Sequence, residues 1–271
     1  MPSIAILQMT SGIDAEANFA VIEAAACEAA GKGARVLFTP EMSLLLDRDR
    51  TRAARTFSDE SYEEFPARLG KLACENGIDI ALGSMPVRHA GKLANRAMYL
   101  SCKGLSPTTY DKMHMFDVDL QSGESWRESN AYQAGDAVVV AEDTPLGRLG
   151  FAICYDIRFP ALFDALGRQG CDCIAIPAAF TVPTGKAHWH VLQRARAIEA
   201  SAFVIAAAQV GEHPDGRKTY GHSLVVSPWG EVLLDMGGET AGVGFAQIDL
   251  DRVAEVRAQV PSLANRREIA T

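Results

Sequence analysis

Residues 111–135 divide this chain into two stretches that read alike, and that division restricts the fold more than any other feature. The segment has neither a helical nor a strand period and is dense in polar, aromatic and acidic side chains. A loop of this length inside a compact chain is functional or disordered, and its acidic residues, His114 and Trp126 argue against disorder. Before it, residues 4–9 read as an apolar strand, Asp14 caps a helix to about Gly31, and residues 35–39 form the next strand of a β-α-β unit. Residues 46–58 read as a polar surface excursion. A helix over 62–76 stopped by Gly77, a strand over 78–84, and a hairpin pairing 93–102 with 108–110 complete the first half.

The second half repeats the pattern. Strands over 138–141 and 149–154 are followed by a helix from Pro160 and a strand over 173–180. A helix over 186–201 should bury Trp189, Leu192, Ala195 and Ile198. A strand over 203–209, a hairpin over 222–234, a strand over 243–248 and a helix capped by Asp249 end at a tail over 261–271. Mixed strands with hairpins disfavour a pure TIM barrel or Rossmann sheet. The pattern predicts an α/β chain with two mixed β-sheets packed face to face and helices outside, a four-layer α-β-β-α sandwich. No Pro/Gly/Ser linker offers a cut, so residues 1–271 are expected to form a single domain.

Composition narrows the function classes. A net charge of −8, from 26 basic and 34 acidic residues, argues against a nucleic-acid partner but leaves small acidic substrates open. The N-terminus lacks a basic, apolar leader, and no run approaches the ~18 apolar residues of a membrane span. Cys27, Cys74, Cys102, Cys154, Cys171 and Cys173 sit in a chain too rich in core residues to need disulfide staples. Reduced thiols, a cytoplasmic location and no membrane partner are the expectation.

The chemistry gathers in residues 147–160. One short buried strand delivers Cys154 to its end, and Pro160 opens the next helix, where a missing N–H costs nothing. Backbone N–H groups at such a junction favour a thiolate. Taken alone, a cysteine on an apolar strand is more often a small core residue. Three ionisable residues raise its odds: Glu41 after the second strand, Lys112 after the strand ending at Tyr110, and Glu128 in the central loop. A carboxylate can take the thiol proton, return it to a leaving amine and later activate water, while an ammonium faces the oxyanion of each tetrahedral intermediate. Singly, each has a plain structural role: Glu41 as a cap, Lys112 as a solvated side chain, Glu128 paired with Arg127. His188 and His190 suggest a Cys–His dyad, but their spacing puts them on different helix faces.

Residues 39–42 (Thr-Pro-Glu-Met), 110–119 (Tyr-Asp-Lys-Met-His-Met-Phe-Asp-Val-Asp) and 153–160 (Ile-Cys-Tyr-Asp-Ile-Arg-Phe-Pro) together resemble the nitrilase superfamily of carbon–nitrogen hydrolases, in that order and over nearly the whole chain. The resemblance implies the four-layer sandwich, a Glu41–Lys112–Cys154 triad with Glu128 as second glutamate, and an oxyanion site completed by the Tyr155 N–H. It implies no metal or organic cofactor and a homodimer or larger assembly. Residues 117–119, 185–199 and 220–230 resemble the Nit branch, which holds ω-amidases and deaminated-glutathione amidases. Residues 207–213 resemble the second group more closely.

That resemblance implies a cofactor-free amidase acting through a cysteine thioester on deaminated glutathione, giving 2-oxoglutarate and Cys-Gly. The alternatives are an ω-amidase acting on 2-oxoglutaramate or 2-oxosuccinamate, and a catalytically silent binding protein of the same fold. Such an acidic amide needs anion partners, for which Arg158, Arg217 and Lys218 are candidates. Phe180 and His188 are candidate pocket residues.

Overall fold

The structure, a computed structural model, describes residues 1–89, 91–119, 123 and 125–267. The first half contributes β1 (Ser3–Gln8), α1 (Ala15–Gly31), β2 (Val36–Phe38), α2 (Arg50–Ser58), α3 (Phe65–Asn76), β3 (Asp79–His89), β4 (Lys92–Leu100) and β5 (Thr108–Asp111). The central loop carries a short antiparallel hairpin, β6 (Asp117–Asp119) and β7 (Ser125–Arg127). The second half holds β8 (Val140–Thr144), β9 (Gly147–Phe151), α4 (Pro160–Arg168), β10 (Cys173–Ala175), α5 (Val182–Ala200) and β11 (Phe203–Ala206). Then come β12 (Val210–Glu212), β13 (Lys218–Tyr220), β14 (Leu224–Val226), β15 (Val232–Asp235), β16 (Gly242–Gln247) and α6 (Asp251–Gln259).

Two six-stranded sheets, ordered β16-β1-β2-β3-β4-β5 and β15-β14-β11-β10-β9-β8, stack between helices as the expected α-β-β-α sandwich. Each has three parallel strands at its centre, β1-β2-β3 and β9-β10-β11, with antiparallel strands outside them. The halves are interlocked: β16, near the end of the chain, pairs with β1, Ser3 opposite Gln247. Strand alternation sorts the core. Ile4 and Ile6 face the inter-sheet layer with Phe38, Phe151, Ile174 and Val204, whereas Ala5 and Leu7 face α1 and α3 with Ile22 and Leu69.

Local chemistry explains the helix ends. Asp14 accepts from the N–H groups of Glu16 and Ala17, and Gly77 closes α3 in the left-handed region. Three expectations are corrected. Residues 46–58 do not stay an open excursion: Asp49 caps α2, which buries Ala53 and Phe57, an i, i+4 pair. On α5 the buried face is rotated, holding Trp189, Gln193, Arg196 and Ala197, while Ile198 is half exposed. Burying Arg196 is tolerable because it donates to Ile157 O at 2.7 Å and pairs with Glu199 at 2.8 Å. Finally, α6 starts two residues beyond Asp249, whose carboxylate accepts from the Asp251 N–H. Of the expected tail and the central loop, residues 268–271, 120–122 and 124 lie outside the described residues.

Candidate active site

A cavity of about 1090 Å³ opens where the loops after β2, β5 and β9 meet, and Glu41, Lys112, Glu128 and Cys154 all line it. Glu41 gets there because the chain leaving β2 passes tightly over β3. A Cβ on Gly83 would stand 2.1 Å from Thr39 O and 2.3 Å from Pro40 O, so only glycine fits. Lys112 follows the last residue of β5 and is fixed by its N–H on Asn95 O at 2.9 Å. Cys154 is not at the end of its strand, as the apolar run suggested. β9 stops at Phe151, and Cys154 opens a five-residue 3₁₀ turn, Cys154–Arg158, with φ +49°. That left-handed backbone is uncommon for a non-glycine residue and is held by the Cys154 N–H on Pro177 O at 2.9 Å.

Lys112 is the hub. Its Nζ donates to Glu41 Oε1 at 2.9 Å and to Glu128 Oε1 and Oε2 at 3.1 and 2.9 Å. Asn95, buried on β4, donates from Nδ2 to both carboxylates, at 2.9 Å to Glu41 and 3.2 Å to Glu128. The other oxygen of Glu41 accepts from the Ala179 N–H at 3.0 Å, and Glu128 Oε2 accepts from the Phe116 N–H at 2.7 Å. Buried charges survive when they are paired and hydrogen-bonded in this way.

The protonation states follow. Burial works against an ionised Glu41, but Lys112, the Cys154 thiol and Asn95 outweigh it and hold the carboxyl below its ordinary range. Burial also opposes the Lys112 ammonium, and Glu128 and then Glu41 keep it charged, well above its ordinary value. Cys154 goes the other way: burial, then the Glu41 charge, push the thiol well up. Both shifts favour a neutral Cys154 thiol beside an ionised Glu41. The shift runs against the thiolate expected from helix-end N–H groups, since burial is the largest influence and a single 3₁₀ turn offers little dipole.

The carbon-nitrogen hydrolase family model matches residues 3–258. The chain belongs to that family. It is a nitrilase-superfamily hydrolase of the Nit branch, acting on carbon–nitrogen bonds other than peptide bonds. A protein of Yersinia enterocolitica named deaminated glutathione amidase is 36% identical over 275 residues, covering 99% of this chain and 94% of that protein. The crystal structure of the C. elegans NitFhit protein superposes with a TM-score of 0.89 at 34% identity, over 98% of this chain. The chain spans only 65% of that protein. Saccharomyces cerevisiae Nit3, described as a member of branch 10 of the nitrilase superfamily, gives a TM-score of 0.84 at 25% identity, over 96% and 94% of the two chains.

The remaining expectations divide. In this carbon–nitrogen hydrolase, Tyr155, Phe180, Arg217 and Lys218 line the cavity. Arg158 and His188 do not: they approach each other at 3.3 Å between Nη2 and Nδ1, outside the lining. Asp156, next to the nucleophile candidate, is fully buried and accepts from Tyr110, Ile153 and His114. Glu128 pairs with Lys112, and Arg127 with Asp119.

Arg217 is partly committed, its Nε on Asp215 at 2.7 Å and its guanidinium 5.1 Å from the Trp126 ring. Arg48, which the sequence reading passed over, lines the same mouth 5.8 Å from that ring. Its guanidinium has no carboxylate within ion-pair distance among the described residues. Asn95 was also missed. The only hint in the sequence is one amide inside the alternating run of β4. Among the described residues, no helix is long and apolar enough to cross a membrane, and no cysteine is disulfide-bonded.

Proposed function

We propose that this hydrolase is a cofactor-free amidase, in which Glu41, Lys112 and Cys154 carry the chemistry and Glu128 positions Lys112. The observation that carries the reading is the Lys112 ammonium shared by the buried Glu41 and the part-buried Glu128 beside a buried thiol at a cavity wall. Glu41 takes the Cys154 proton as Sγ attacks the amide carbonyl, and Lys112 with the Tyr155 N–H faces the oxyanion. Glu41 then gives that proton to the departing nitrogen, the C–N bond breaks, and a thioester and an amine remain. A water enters and loses a proton to Glu41, and its oxygen attacks the thioester. The second oxyanion collapses, the thiolate leaves and recovers the proton from Glu41, and the free acid departs.

The preferred substrate is deaminated glutathione, cleaved to 2-oxoglutarate and Cys-Gly. The relatives that bear that enzyme name support this, as do the arginines of the cavity mouth, Arg48, Arg50, Arg127 and Arg217, which suit an amide carrying carboxylates. We assign the reaction to one hydrolase domain spanning the chain, working in the cytoplasm as a homodimer or larger homo-oligomer.

The test is steady-state turnover of deaminated glutathione against 2-oxoglutaramate, with Cys154→Ala as control. Release of 2-oxoglutarate and Cys-Gly, absent in the variant, is the expected result. A higher kcat/KM on 2-oxoglutaramate would make the enzyme an ω-amidase. Full turnover by Cys154→Ala would refute the thioester route.

A further inference from the structure

Away from the cavity, His190 on α5, His222 just before β14, and Asp235 at the end of β15 each bring one ligand atom within 4.8 Å of the other two. No other group of three or more His, Cys, Asp or Glu converges in this way among the described residues. His190 Nε2 lies 3.0 Å from Asp235 Oδ2, and His222 Nδ1 lies 2.9 and 3.2 Å from the two Asp235 oxygens. Two ligands each about 2.1 Å from one ion stand about 3.0–3.4 Å apart between octahedral and tetrahedral angles. Each imidazole nitrogen lies close to that distance from the carboxylate, and all three donors lie within 4.8 Å of one another.

We propose that His190, His222 and Asp235 bind one divalent transition-metal ion of the zinc, nickel or cobalt class, clamping α5 to the β14–β15 hairpin. Two imidazoles with one carboxylate suit these borderline ions, whereas calcium and magnesium prefer all-oxygen shells. The donors are held in place by their surroundings. The His222 N–H donates to Gly237 O at 2.7 Å, and the Gly237 N–H donates to Asp235 Oδ1 at 2.9 Å. The Tyr220 ring stacks on His222 at 4.4 Å, and the His190 ring meets His222 edge-on at 4.9 Å. Trp189 Nε1 donates to His222 O at 2.8 Å, fixing the backbone where its φ is +54°. A Cβ on Gly238 would stand 2.9 Å from His222 Nε2, so the absent side chain leaves the ring its position.

All three donors are partly solvent-exposed, with side-chain exposures of 36% for His190, 24% for His222 and 33% for Asp235. An ion can enter from solvent and keep water in its remaining positions. Without an ion, two N–H···O bonds hold the same atoms. On binding, the protons on His190 Nε2 and His222 Nδ1 leave to solvent or to the other ring nitrogens. None of the three residues lines the cavity, so the clamp is separate from the amide chemistry.

The experiment strips the 271-residue protein with chelator and titrates zinc against a chromophoric chelator. It then repeats the titration with cobalt, following the visible spectrum. The expected result is one equivalent bound, a raised Tm, and a cobalt spectrum lacking thiolate charge transfer, which excludes Cys154 as ligand. His190→Gln and Asp235→Asn should each weaken binding by more than about tenfold and abolish the Tm gain. Amide turnover and the metal-free Tm serve as folding controls. If Asp235→Asn unfolds, His190→Gln, on a partly exposed helix face, decides alone. No stoichiometric binding by the natural chain, or unchanged affinity in His190→Gln, would overturn the clamp.

Discussion

The Tyr110 hydroxyl donates to Asp156 Oδ2 at 2.7 Å, and both residues are buried. Tyr110 stands two residues before Lys112, and Asp156 two residues after Cys154, so this bond ties the ammonium's strand to the nucleophile's turn. Asp156 also accepts from the Ile153 N–H at 2.9 Å and the His114 N–H at 3.0 Å, and His114 Nδ1 lies 2.7 Å from it. One carboxylate thereby organises both sides of the site.

Tyr110→Phe should therefore lower stability by about 1–3 kcal/mol, the cost of leaving one side of a buried pair unmet. It should also lower kcat more than it raises KM, because the reacting groups separate while the cavity mouth is unchanged. Denaturant unfolding and steady-state kinetics report the two effects. A variant with natural midpoint and natural kcat would show that the tie is dispensable.

Lys112→Met removes the cation between the buried Glu41 and the part-buried Glu128. Breaking a buried pair in this way costs about 3–5 kcal/mol, and loss of one oxyanion donor lowers kcat about 10²–10³-fold. Adding Glu128→Gln to Lys112→Met should return part of the stability, since one uncompensated charge disappears, and none of the activity. Recovery of turnover in the double variant would remove Lys112 from the chemistry.

Glu41, Lys112 and Cys154 were legible as candidates because each is a polar residue just past an apolar run, and strand ends are where such sites form, whereas Glu128 stood out only within the long central loop. Their partners were not. Asn95 is one amide in an alternating strand, and nothing in its neighbours says that it faces two glutamates 33 and 54 residues away. Asp156 carries no sign in the sequence of its role, because only the 3₁₀ turn points it inward to Tyr110. The rotated face of α5 failed for a related reason. Apolar periodicity assigns Ile198 to the core, while the long arm of Arg196 reaches a carbonyl and is buried instead. The helix α2 was hidden because only Ala53 and Phe57 of its nine residues are apolar and buried. Sheet order was also beyond reach, since the β1–β16 pairing joins the chain's two ends.

The pKa shifts predict a stability plateau with two edges. Glu41 has a folded pKa below its ordinary 4.5, so its contribution is complete above pH 4.5 and is lost as pH falls through the lower folded value. Cys154 and Lys112 have folded values raised above 9.0 and 10.5. Their contributions are complete below those values and fade as pH climbs toward the folded ones. Thermal melts across pH should fall off on the acid side below about 4.5 and on the alkaline side from about 9 upward. Burial also raises the Cys171 and Cys173 thiols, so Cys154→Ser should reduce the lower part of the alkaline loss without removing it, and should leave the acid edge. An alkaline edge unchanged by that substitution would place the titrating group elsewhere.

Recognition of an acidic amide leads to the last prediction. Arg217 is held by Asp215, and Arg127 by Asp119, so each has already met a carboxylate. Arg48 stands at the same mouth with its backbone N–H on Asp215 Oδ2 at 2.9 Å, and its guanidinium offers an open fork to a substrate carboxylate. Arg48→Ala should raise KM for deaminated glutathione about tenfold or more, with a smaller change in kcat. Because the contact is between charges near solvent, added salt should weaken the natural enzyme's KM and have less effect on the variant's. A neutral short-chain amide should be hydrolysed equally by both. If Arg48→Ala and the natural enzyme share one KM for the acidic substrate at every salt concentration, the anion is held elsewhere, and Arg217→Ala becomes the next variant to measure.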